Sequence, residues 1–442
     1  MYSSLKVSGS ILAAFTFLLV QTSPVQAAYG PEGLFGGRPK PDSSIVVANP
    51  VELKNDRPER AESVLDHPRP DYDPVPIEVG SFELFPALEL GETYADNIYA
   101  TTSDKRNDAI GVIRPVINLF SNWGRHALAI TTFGDFAHYS QHPDENYQSI
   151  VLDVNGRYDI MNQMWIGVRA GHQYLAEART SPDGTGGTEP VTFNMPRGGL
   201  SFYRGVGRLK LTLDYDFSRF IYEDTPTSTT PIDQSDRSRD VHVAAATLKY
   251  DLSGNVAPYV RGSYNIRDYE KNHDHDADGY SAVVGTTMDL GGITSLDLFA
   301  GWMVENYNDF GVAQQLSTPK FGGSLMWNAT GLTTVVFEMD RTIEETNLTG
   351  YNSYYQTGGS ATVTHELLRN VILETDLAFS RADFNGTGDR KDDILTIGAG
   401  GRYLINRNLY TDLMYSWERR YSDVPSSNYI RNMVLLRLGV RL

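Results

Sequence analysis

Cysteine is absent from the 442 residues, which excludes disulfides, thiolate nucleophiles and Cys-ligated metals. Long apolar runs are missing too. Beyond the N-terminal segment no stretch approaches the ~20 apolar residues of a membrane-spanning helix. Positive charge is short: 38 Lys and Arg stand against 55 Asp and Glu, a formal net charge of −17. Nucleic acid is therefore not expected as a partner, because phosphate backbones need basic surfaces. After about Gly80 proline becomes scarce, which removes the main obstacle to long strands.

What is present fits a wall with two different faces. Aromatic residues make up 11% of the chain, 26 of them Tyr, the kind of residue that forms girdles at membrane interfaces. The average hydropathy is that of a soluble protein, which a transmembrane barrel also shows because each strand is apolar on one face only.

Met1 to Ala27 has the form of a secretory signal peptide. Lys6 supplies the positive region, Ile11 to Val20 a short apolar core, and Val25-Gln26-Ala27 the small residues of a cleavage site. Residues 28–80 are rich in Pro, Gly and charge, as in His67-Pro68-Arg69-Pro70-Asp71-Tyr72-Asp73-Pro74, and predict a disordered periplasmic arm. A docking role for this arm, with Ser44 to Ala48 as an added strand, is the sharper alternative.

From residue 81 to 442 apolar and polar residues alternate. In Arg208 to Phe220, Leu209, Leu211, Leu213, Tyr215 and Phe217 share one face, while Lys210, Thr212, Asp214, Asp216 and Ser218 share the other. Leu409 to Tyr421 and Val371 to Phe379 repeat the pattern. Short turns (Asn122-Trp123-Gly124, Ser253-Gly254-Asn255, Gly291-Gly292, Leu368-Arg369-Asn370, Asn406-Arg407-Asn408) alternate with longer polar loops (94–107, 179–190, 223–237, 270–279, 385–392). Tight periplasmic turns and long external loops are the asymmetry of outer-membrane barrels. The expected fold is all-β, a transmembrane antiparallel β-barrel of about eighteen strands. It would be sixteen if the weaker segments Val191 to Arg204 and Thr318 to Asn328 do not form. The last segment places Val434, Leu436, Leu438, Val440 and Leu442 on one face. Such a strand closes the barrel against the first and serves outer-membrane assembly machinery as a signal. Soluble sandwiches and propellers are disfavoured, since their strands average about five or six residues.

Charges on the non-apolar parity are assigned inward, because Arg or Lys facing lipid at the midplane costs ~2–4 kcal/mol. These candidate pore-lining residues are Asp135, Asp153, Arg157, Arg169, Asp214, Asp216, Arg261, Arg267, Glu338, Asp340, Glu374, Asp376, Arg402, Asp412, Glu418, Arg431 and Arg437. They either pair across the lumen as struts or line an aqueous path. Trp165 and Tyr259, on the same parity, are candidates for stacking on sugar rings, with space filling as the plainer role. Catalysis is not expected: there is no G-x-S-x-G elbow, and His365-Glu366 lacks the second His of a zinc helix. Of the histidines near strands (His126, His138, His172, His242 and His365), His172 and His242 fall on the apolar parity, which reads as an interfacial position near a rim. No cofactor is expected. Asp274-His275-Asp276-Ala277-Asp278-Gly279 imitates a calcium loop, but Gly285 stands where the bidentate Glu belongs. A solvated acidic loop is the simpler reading. Three glycosylation sequons, at Asn328, Asn347 and Asn385, carry little meaning in a bacterial barrel.

Several segments resemble a known family. Phe82 to Leu88, Tyr94 to Thr101, Arg114 to Leu119 with Trp123 to His126, and Gly156 to Asp159 with Ala176 to Asp183 are similar to the outer-membrane barrels called putative beta-barrel porin 2. The resemblance extends through nearly all of the chain after the arm. It implies a conduit that carries an exopolysaccharide or capsular polymer across the outer membrane. A periplasmic polysaccharide-export protein would be its partner and outer-membrane lipid its surroundings. A general diffusion porin and a non-conducting structural or assembly barrel are the alternatives, with a barrel enzyme acting on lipid or peptide behind them.

Overall fold

The computed structural model describes residues 63–181, 187–227, 230–308 and 315–442. Residues 1–62, which hold the expected signal peptide and most of the expected arm, lie outside them. The strands are β1 (Ile77–Val79), β2 (Phe82–Ala95), β3 (Asp108–Ser121), β4 (Ala127–Tyr139), β5 (Tyr147–Met161), β6 (Met164–Ala176), β7 (Thr192–Val206), β8 (Leu209–Tyr222), β9 (Arg239–Tyr250) and β10 (Val256–Tyr269). They continue with β11 (Ala277–Leu290), β12 (Thr294–Tyr307), β13 (Gln315–Thr330), β14 (Thr333–Glu345), β15 (Tyr351–Leu368), β16 (Val371–Gly386), β17 (Arg390–Leu404), β18 (Leu409–Ser422) and β19 (Tyr429–Arg441).

All belong to one sheet in which each strand is antiparallel to its neighbours. Strand β19 pairs with β2 from Met433–Ala95 to Arg441–Ala87, so eighteen strands, β2 to β19, close a ring. Both weak segments form, as β7 and β13, which fixes eighteen rather than sixteen. Strand β1 bonds to β2 from Ile77–Leu84 to Val79–Phe82, below the point where β19 stops. It thereby continues the closure seam toward the short-turn end and covers edge groups that would otherwise be bare.

The faces separate as alternation requires. Leu436 is 56% exposed and Val284 64% exposed on the outside of the ring, whereas Arg437 is buried on the inside. A closed ring satisfies every ladder hydrogen bond, the condition for backbone in hydrocarbon. Gly291 and Gly292 both take positive φ (71° and 72°) in the turn between β11 and β12, a conformation that glycine adopts without steric cost.

The long-loop end has a recurrent turn. A 3₁₀ turn sits between β4 and β5 (Pro143–Glu145), β8 and β9 (Ser235–Arg237), β10 and β11 (His273–His275) and β18 and β19 (Pro425–Ser427). In each, a residue at its C-terminal boundary accepts the N–H of the preceding strand's end. Tyr139 donates to Asn146 (2.7 Å), Tyr222 to Ser238 (3.1 Å), Tyr269 to Asp276 (2.7 Å) and Ser422 to Asn428 (3.0 Å). Short polar side chains that mimic a backbone acceptor are the chemistry of such turns.

One hairpin departs from the wall. Pairing of β13 with β14 stops at Gly322–Asp340 although both strands continue. Thr342, Ile343, Glu344 and Glu345 are buried at consecutive positions, as are Asn352, Ser353 and Tyr354 opposite them. A strand facing lipid on one side cannot be buried on both. Ile343 packs on Ala277, Met303, Tyr307 and Leu316 of β11 to β13, and Glu345 reaches Arg239 (3.3 Å) and Arg267 (3.1 Å). The upper part of the β14–β15 hairpin thus leans over the inner face of its neighbours.

Two outcomes follow from this architecture. Val284→Arg, at the middle of the outer face of β11, should cost about 2–4 kcal/mol of folding free energy in lipid vesicles, read from denaturant titrations. A neutral result would mean that this face does not meet hydrocarbon. In the β10–β11 turn, burial against Tyr269 holds the His275 imidazole below its usual value of 6.5, opposed by the nearby Glu345 and Asp274. The unfolded chain then binds the proton first. The turn should keep its full stability above pH 6.5 and lose it as pH falls toward the lower folded value. Faster amide exchange in 270–276 at pH 5 than at pH 7.5 is the expected reading.

Candidate functional site: the inner wall

The inner face carries most of the charge. Each of the seventeen residues assigned inward from the sequence lies on the parity opposite the exposed apolar residues of its strand. Most of them are joined in ion pairs. The longest chain runs across six adjacent strands of the ring, β4-β3-β2-β19-β18-β17. Asp135 binds Arg114 (2.5 Å), Arg114 lies 3.7 Å from Glu89, Glu89 binds Arg437 (3.0 Å), and Asp412 holds both Arg437 (2.9 Å) and Arg402 (2.7 Å). This chain straddles the β19–β2 seam. Glu89 belongs to it yet escaped the sequence reading, because it stands between Leu88 and Leu90 where only parity marks it as inward.

Other pairs sit on single hairpins or neighbouring ones. Arg169 binds Asp216 (2.7 Å) and donates to Ser201, which donates to Asp214. Arg197 binds Asp153 (2.5 Å), Arg157 binds Asp159 (2.8 Å), and Arg267 binds Glu305 (2.5 Å). Glu418 takes Arg431 (3.1 Å) and the hydroxyl of Tyr429 (2.8 Å). Among the described residues, Asp214, Arg261, Glu338, Asp340, Glu374 and Asp376 form no ion pair within 4.0 Å.

The aromatic candidates are already engaged. Trp165 stacks on Tyr203 at 5.2 Å, and the Arg157 guanidinium lies 5.1 Å from its ring centroid. The Tyr259 hydroxyl donates to Asp297 (2.8 Å), and Lys249 stands over its ring. The histidines are dispersed. His126 stacks on Tyr158, His242 meets the Tyr215 hydroxyl (2.8 Å) on the outer face, and His365 meets Thr333 (3.0 Å). Asp274, Asp276 and Asp278 do not converge as in a calcium loop. Asp276 accepts the Tyr269 amide, while Asp278 lies near Tyr264 and Asn306 outside the ring. The carboxylates and ring that do approach, Asp268, His273 and Asp276, have ligand atoms within 4.8 Å of one another.

The final part of the arm, expected to lack structure, is seated in the short-turn mouth. The strap of residues 63–76 opens with a 3₁₀ turn, Val64–Asp66, capped by Ser63. The buried Val64 donates its N–H to Thr334 Oγ1 on β14 (2.9 Å). Leu65 and Tyr72 pack on Ile372, Leu404 and Tyr410, inward residues of β16, β17 and β18. Glu366 of β15 takes Arg69 (2.8 Å) and His67 (3.0 Å). Arg407 and Arg441 donate to the carbonyls of Pro70 and Tyr72 (both 2.8 Å). Proline density removes helix and strand from this segment, but its carbonyls remain free to accept from the wall.

Among the described residues, the Glu366 carboxylate is the one acidic group of the wall that holds two strap side chains. Glu366→Gln should leave the nearly buried Arg69 without its counter-ion, a loss of about 1.5–3 kcal/mol for a charged hydrogen bond and hence about tenfold or more in opening. In this cysteine-free chain a Val64→Cys thiol should be shielded from a maleimide, and Glu366→Gln should expose it. Equal labelling with and without Glu366 would show that the strap is held by other means.

Among curated proteins, none matches the chain. Solved structures similar to it include Pseudomonas aeruginosa OpdL (13% identity, 82% of this chain and 100% of that one, TM-score 0.43). Pseudomonas aeruginosa OccK2 is similar at 10% identity over 82% of this chain and 99% of its own, with a TM-score of 0.46. Acinetobacter baumannii OccAB1 is similar at 12% identity over 82% and 97%, with a TM-score of 0.44. The family model described as Putative beta-barrel porin 2 matches residues 69–442, from within the strap to the last strand. This chain, an outer-membrane porin-like barrel, belongs to that family.

Proposed function

We propose that the protein is a passive conduit of the bacterial outer membrane that admits small polar solutes through its lumen. The observation that supports this is the sorting of the wall: apolar side chains outside, ionic and hydroxyl side chains inside, around a closed ring of eighteen strands. A ring of this strand number encloses space for water unless plugged. The proposed role is passage, not catalysis. Outer-membrane lipid and the assembly machinery that inserts the barrel are its proposed partners.

Export of an exopolysaccharide, with a periplasmic export protein as partner, is the narrower form implied by the family resemblance. The aromatic faces a sugar polymer would use are occupied at Trp165 and Tyr259, which favours the broader form. The purified chain should form discrete conducting steps in planar bilayers, and vesicles containing it should swell in small sugars and amino acids. Absence of any current would remove the conduit. Loss of surface polysaccharide on deletion of the gene, with precursor accumulating, would establish the narrower role over the broader one.

A further inference from the structure

The inner wall is not electrically uniform. Arg114, Arg157, Arg169, Arg402, Arg431 and Arg437 each have a carboxylate within 3.1 Å, so this part of the wall is neutralised from within. The sector from β12 to β16 differs. Asp297 on β12 faces Ser324 on β13, which faces Glu338 on β14, which faces Ser360 on β15. One row further, Thr362 on β15 faces Asp376 on β16 and donates to it (2.6 Å), and Thr364 faces Glu374. Carboxylates on alternate strands are thus separated by hydroxyls, with no guanidinium or ammonium bound to them.

Glu374 makes this sector more than an acidic surface. It is 6% exposed, and among the described residues nothing donates a hydrogen bond or forms an ion pair with it. The second oxygen of Asp376 is buried without a partner. A buried carboxylate without a donor carries a large desolvation penalty, which a proton, a counter-ion or a water relieves. The cations nearest the sector are Arg402, which is bound by Asp412 and also acts on Glu374, Lys320 on β13, which lies near Asp340 without an ion pair within 4.0 Å, and Arg261 on the flanking β10.

We propose that the β12–β16 sector is a subsite for small cations in the lumen, inorganic or carrying an ammonium or guanidinium group, and that it makes the conduit cation-selective. The proposal rests on the conduit reading. Carboxylates without a bound cation on a low-dielectric wall concentrate counter-ions along the path when ionised, with hydroxyls supplying the neutral oxygen ligands between them. Selectivity should weaken as salt rises, because the screening length shortens from about 10 Å at 0.1 M to about 3 Å at 1 M.

The test is the reversal potential of the full mature chain in planar bilayers under a KCl gradient. The wild type should prefer K⁺ over Cl⁻. The double variant Glu374→Gln/Asp376→Asn should lower that preference at least about threefold while conductance steps persist. Glu374→Asp should retain it. Glu338→Gln/Asp297→Asn, further along the sector, gives an independent second reading should the first double variant fail to insert. A wild type that conducts without cation preference, or double variants that leave the preference unchanged, would overturn the subsite and leave the conduit standing. A barrel that inserts and passes no current at all would remove the conduit itself.

Discussion

Hydrocarbon offers no partner to a backbone N–H or C=O, so a wall of strands is stable in a bilayer only if it has no free edge. Everything else in this protein is arranged around that demand. The first long strand must find the last one, and β2 meets β19 along a register from Ala95–Met433 to Ala87–Arg441. Where β19 runs out, β1 takes over the edge. Once the ring is shut, the outer face has no choice but to be apolar, and polar groups collect inside.

The interior then faces its own constraint. Guanidinium groups held close to a low-dielectric wall need acceptors, and breaking a buried pair costs far more than the pair is worth against an apolar replacement. The ion chain from Asp135 to Arg402 satisfies its members and crosses the seam, so side chains reinforce a junction that backbone bonds alone must otherwise hold. Buried ion pairs in a porin-like wall therefore act as a lining that fixes strand order as well as charge.

Alternation carries the strands into view from the sequence. All of Arg208 to Phe220 but its first residue lies in β8, Leu409 to Tyr421 lies in β18, and even the weak stretches become β7 and β13. Parity also places the inward charges, because a period of two leaves only one face for them. Two features were not legible. The strap contains no periodicity, and its contacts are with residues some 270 to 370 positions away, such as Thr334 and Arg441. The inward lean of β14 was hidden because Thr342-Ile343-Glu344-Glu345 reads as an ordinary strand end. Only burial on both faces reveals that another layer covers it. Carboxylate pairing was also beyond sequence: Glu374 and Asp412 share a parity, yet one has two arginines and the other none.

The seat of the strap has a bearing on the order of assembly. Its partners Thr334, Glu366, Leu404, Arg407 and Arg441 come from the last third of the chain to be synthesised, whereas the strap comes near the beginning. Contacts so distant in sequence form late, after the costly closure of the intervening loop. A half-built wall with β18 and β19 still outside offers the strap no complete seat. Its docking is consequently a chemical record that the ring has been finished, readable at the short-turn mouth of the barrel.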